Sequence, residues 1–82
     1  MNIKQAIEKI LEDLVGRKVS FGAGVTFREC GIDSLTVTEL VILTEERLGI
    51  EYGQSELTPD VLIYPELFIR LTEEKDADKK RI

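Results

Sequence analysis

Two runs of apolar residues at three- and four-residue steps face each other across a glycine-marked connection, and this pattern limits the fold more than any other feature. On the N-terminal side, Ile3, Ala6, Ile7, Ile10, Leu11 and Leu14 recur at helical spacing. Lys4, Glu8, Lys9, Glu12 and Asp13 fill the opposite face. Glu8 to Glu12 is a like-charge step, so surface pairing does not hold this helix and packing must. Gly16 follows as a helix stop. Residues 16–30 form a long connection punctuated by Gly16, Gly22 and Gly24. Its apolar residues, Val19, Phe21, Val25 and Phe27, predict a loop pinned to a core, with Phe27 plugging a bundle. A strand over Val19–Phe21 is the less favoured reading, because a lone hairpin is marginal in water.

The second helical run starts at Asp33, a preferred N-cap whose carboxylate can accept the first unpaired backbone N–H groups. Leu35, Val37, Leu40, Val41, Leu43, Thr44 and Leu48 carry the pattern. Leu40, Thr44 and Leu48 form the core-facing row, Thr44 has a carbonyl one turn back to bond, and Ile42 falls toward the polar side. Gly49 ends the helix after Arg47, a base placed well for the negative end. Ile50-Glu51-Tyr52 reads as a short extended piece. Thr58-Pro59-Asp60 reads as N-cap, first helical residue and first-turn acid, opening a short helix through Ile63. Pro65 starts another, with Leu67, Phe68 and Leu71 as its apolar face. Beyond Thr72 little remains to bury, so residues 74–82 are expected to be a flexible tail on a domain of residues 1–73. Short links between the last three helices favour an all-α four-helix bundle with a long loop after helix one and a short third helix.

The chain has 82 residues, which makes one domain with a marginal core. It suits a binding or carrying module better than an enzyme with an enclosed site. With 3 Phe, 2 Tyr and no Trp, aliphatic side chains must fill most of the core. Net charge is −5, and residues 28–60 alone hold eight acids and two bases. An acidic face repels phosphate backbones, which argues against nucleic acid, and steers basic protein surfaces toward itself. Histidine is absent and Cys30 is the only cysteine. That leaves no intramolecular disulfide, no cysteine or histidine metal cluster and no base to activate a nucleophilic serine or cysteine. A hydrolase reading fails also because the Gly-x-Ser-x-Gly elbow is missing. No apolar run approaches the length needed to span a bilayer, and the first residues lack a signal peptide's apolar region. A cytoplasmic monomer with no membrane partner is the expected state.

Between the loop and the second helix stands Gly31-Ile32-Asp33-Ser34-Leu35. Asp33 as N-cap places Ser34 in the first turn, its hydroxyl facing water at the positive helix end, where a phosphate ester is favoured. Asp-Ser before an apolar run is by itself a common helix start. Here Phe27 lies four residues before Gly31, and Glu39-Leu40 follow at the fifth and sixth positions after Ser34. This arrangement resembles the phosphopantetheine attachment site of acyl carrier proteins, and the helical order fits from residue 2 to about 73.

The resemblance implies that a phosphopantetheinyl transferase links Ser34 to 4′-phosphopantetheine taken from coenzyme A. The arm's thiol then holds acyl groups as thioesters. Asp33 and Leu35 flank the attachment, Leu35 as partner contact or packing residue. Glu39, Ile42, Glu45 and Glu46 would meet basic docking surfaces of acyltransferase- or ketosynthase-type enzymes. Thr36 and Thr38 stand where fatty-acid carriers often have an acid and Val or Met, and Cys30 replaces Leu. These departures favour polyketide or other specialised assembly over housekeeping fatty-acid synthesis. A peptidyl carrier more often shows Gly-Gly-x-Ser. An unmodified interaction domain of the same fold is the remaining alternative.

Overall fold

The computed structural model describes residues 2–80. Four helices follow in order: α1 (Ile3–Val15), α2 (Ser34–Leu48), α3 (Pro59–Ile63) and α4 (Pro65–Lys79), with a 3-10 turn at Arg28–Cys30. The described residues contain no strand, so the loop reading of residues 16–30 holds, with a 3-10 turn at its end, and the strand does not. No helix is long and apolar enough to cross a membrane.

α1 starts with a capping box. Gln5 N donates to Asn2 Oδ1 at 2.8 Å, and Asn2 N donates to Gln5 Oε1 at 3.3 Å. Gly16, at φ +72°, closes the other end in the left-handed region. Ile7, Ile10 and Leu11 are buried, as the periodicity requires. α2 buries Val37, Leu40, Val41 and Thr44, and Thr44 Oγ1 donates to the Leu40 carbonyl at 2.7 Å. α1 packs on α2 and α4, and α3 on α4.

Phe68 of α4 sits at the centre, 1% exposed. Its ring lies 6.5 Å from Phe27 and 5.5 Å from Tyr52, centroid to centroid, and Phe21 meets Phe27 edge-on at 5.8 Å. Three aromatic residues that touch Phe68 directly or through one neighbour thus come from irregular segments, which explains why those segments lie against the core.

Polar side chains complete the attachment of the loop. Val19 N donates to Glu12 Oε2 at 3.2 Å and Phe21 N to Glu8 Oε2 at 3.1 Å. The two acids whose like-charge spacing offers α1 no surface pairing act instead as acceptors for loop backbone.

The other departure is at the C-terminus. α4 does not end near Thr72 but continues through Lys79, over most of the expected tail. The extension is held by charge and not by apolar burial. Lys75 Nζ lies 2.6 Å from Glu56 Oε1, and Lys79 Nζ donates to the Leu48 carbonyl at 2.7 Å, capping α2 from outside. Arg81 and Ile82, the end of that expected tail, lie outside the described residues.

Tyr52 and Thr72 make a buried polar pair in this core. Thr72 Oγ1 donates to the Phe68 carbonyl at 2.8 Å, so its one hydrogen is used and the Tyr52 hydroxyl must donate to Thr72 Oγ1 across 2.6 Å. Tyr52→Phe removes one donor cleanly and is expected to cost about 1 kcal/mol. Thr72→Val strands the phenol and is expected to cost more, about 1–3 kcal/mol. Burial pushes the Tyr52 phenol up to about 12. The native state therefore keeps a proton that the unfolded chain loses near pH 10. Stability from this group is full below pH 10 and declines as pH rises toward 12. Chemical denaturation across that range should show the decline in the parent and a shallower one in Tyr52→Phe.

Candidate functional site

The turn before α2 is built from backbone. Cys30 N and Ile32 N both donate to the Phe27 carbonyl, at 3.0 and 2.9 Å, and Gly31 N donates to Arg28 O at 2.9 Å. Phe27 N donates to Ile63 O at 2.9 Å, tying the turn to the end of α3. Phe27 and Ile32 point inward, 2% and 3% exposed. With both neighbours anchored in the core, the chain leaves the turn with Asp33, Ser34 and Leu35 all exposed.

Gly31 makes this path possible. Its φ is +78°, and a Cβ there would lie 2.8 Å from Arg17 Nη2, which donates to Cys30 O at 2.6 Å. Gly31→Ala is expected to cost about 1–2 kcal/mol from the left-handed backbone. For a domain of this size that lowers Tm by roughly 4–16 °C. An unchanged melt would show that the turn can relax to another conformation.

Asp33 caps α2 as expected, with Thr36 N donating to its Oδ1 at 2.8 Å. That backbone bond holds the Asp33 carboxyl below the usual carboxylate range, so it is ionised at neutral pH. Ser34 is the first helical residue. Beside it opens a cleft of about 330 Å³ lined by Phe27, Ile32, Val37, Leu62 and Ile63, with Thr26, Arg28 and Ser34 as its polar lining residues. The α3 residues and Arg28 are the part of the site that sequence reasoning missed. Only the 3-10 turn and the Phe27–Ile63 backbone bond bring them to Ser34, and no periodic pattern records either.

Along α2, Leu35 (67% exposed), Glu39, Ile42 (50% exposed) and Glu46 form one exposed stripe. Glu45, expected to join them, is turned elsewhere: its Oε2 accepts from Tyr52 N at 2.9 Å, fixing the chain after Gly49.

A helical bundle that presents a serine at a helix start, beside an apolar cleft, is the architecture of a carrier domain. The family model for the phosphopantetheine attachment site matches residues 5–63. The chain belongs to that family, whose members hold 4′-phosphopantetheine covalently. No curated protein and no solved structure matches the chain. Carrier domains of this kind are modified by a phosphopantetheinyl transferase and shuttle substrates among biosynthetic enzymes without catalysing the steps themselves. The residues present fit the group: a hydroxyl open to solvent, the start of a helix behind it, and an apolar cleft at its side.

Proposed function

We propose that Ser34 carries the arm and that the protein is an acyl carrier, holding acyl intermediates as thioesters for polyketide, other specialised or fatty-acid biosynthesis. The observation that carries this reading is the placement of Ser34: exposed, first in α2, at the rim of an apolar cleft. When bound, the arm supplies the thiol that takes the acyl group. In the transfer from coenzyme A the Ser34 oxygen gives up its proton and bonds to phosphorus, while the phosphoanhydride breaks and the nucleotide part leaves. The chain's own residues prepare that oxygen. Asp33 holds the first turn through Thr36, Gly31 sets the exit path, and Phe27 with Ile32 fixes the turn against the core.

Exposed Leu35, Glu39, Ile42 and Glu46 support a docking stripe for acyltransferase- or ketosynthase-type partners with basic surfaces. Rim charges of this kind act mainly on encounter rate and salt sensitivity. Glu45 contributes less, since its carboxylate already serves Tyr52. The setting is proposed as cytoplasmic and the carrier as monomeric. Intact-mass spectrometry of protein from its native host tests the cargo class. An acyl mass on the arm is expected, and an aminoacyl mass would assign the chain to peptide assembly.

A further inference from the structure

The cleft beside Ser34 is lined mostly by apolar side chains, and the one cation among its lining residues is Arg28. It is the only base between Lys18 and Arg47, in a stretch otherwise rich in acids. The two acids nearest to it in sequence each accept a backbone N–H. Glu29, next in sequence, accepts from Thr26 N at 2.9 Å, and Asp33 accepts from Thr36 N. Arg17, the other arginine at this turn, is spent on the Cys30 carbonyl. No ion pair among the described residues involves Arg28. An exposed guanidinium therefore lines the same cleft as Ser34, with no ion-pair partner among the described residues.

Resting on the reading of Ser34 as attachment point, we infer that Arg28 pairs with the phosphodiester of the arm and sets the direction in which the arm leaves the protein. The phosphorus is bonded directly to the Ser34 oxygen, so its position is confined to the rim that Arg28 lines. A carboxylate on the cargo would reach Arg28 only if the whole arm folded back. The diester would also lie next to ionised Asp33, a like charge that the guanidinium offsets. Arginine suits the task because its planar fork meets two phosphate oxygens at once.

The test compares wild type, Arg28→Gln and Arg28→Lys, each converted to the holo form by transferase and coenzyme A and verified by mass. The phosphorus NMR resonance of holo Arg28→Gln is expected to shift from the wild-type position, with Arg28→Lys between them. The Arg28 Nε–Hε signal is expected to move on conversion of the wild type. At 1 M salt, where charges are screened within about 3 Å, the wild-type phosphorus resonance should approach that of Arg28→Gln. Loading from butyryl- and succinyl-coenzyme A should leave the Arg28 signal the same in both. Identical phosphorus resonances in all three proteins overturn the pairing. So does an Arg28 signal that moves only with the succinyl cargo, which would assign the cation to a cargo carboxylate. A wild-type chain that gains no mass overturns the Ser34 reading first, and this one with it.

Discussion

Treated with a phosphopantetheinyl transferase and coenzyme A, the Ser34→Ala variant is expected to keep its starting mass while the parent gains one arm. The predicted loss is complete because removing Ser34 Oγ removes the one oxygen that this reading bonds to phosphorus. It is also specific. Ser34 is exposed and belongs to no part of the core, and alanine is the best helix former. Asp33 still caps Thr36, and Phe27 and Ile32 still anchor the turn. Circular dichroism and the melting temperature of the variant should therefore match the parent closely. A variant that fails to react and also fails to fold would say nothing about the hydroxyl, so both measurements belong together.

Phe68→Ala is the largest expected stability effect. The side chain is 1% exposed and touches rings from two irregular segments, so its removal opens a cavity that helices cannot simply close. Substitutions of this kind cost about 3–5 kcal/mol. At roughly 0.05–0.15 kcal/mol per residue, a domain this size is stabilised by only about 4–12 kcal/mol. The urea midpoint should fall by about 3–5 M, taking a slope of about 1 kcal/mol/M, or the variant should be unfolded outright. Phe68→Leu refills much of the volume and should lose clearly less. Equal losses for the two would mean that ring packing with Phe27 and Tyr52, and not filled volume, sets the cost.

The parts legible in the sequence are those where one residue type does a local job. Helical spacing placed α1 and α2, Asp33 and Thr58-Pro59 marked two helix starts, and Gly16 and Gly49 marked two ends. The exposed position of Ser34 followed from Asp33 alone. What stayed hidden depends on polar groups meeting across the fold. Glu8 and Glu12 read as surface acids until the loop's N–H groups arrive. Lys79 reads as tail until α2's last carbonyls come within reach. Glu45 reads as a docking charge, yet Tyr52 N claims it. Tyr52 itself looks like part of a link, and only its partner Thr72, twenty residues on, explains its burial. Hydrophobic periodicity records which face is buried; it holds no information on which distant backbone group a carboxylate or ammonium will satisfy.

The central claim is the identity of the modified atom. Tandem mass spectrometry of the holo-protein, with fragments that separate Ser34 from Thr36 and Thr38, decides it. The expected spectrum keeps the arm on every fragment containing Ser34 and on none without it. An arm found on another residue, or a chain that stays unmodified with active transferase, would contradict the account.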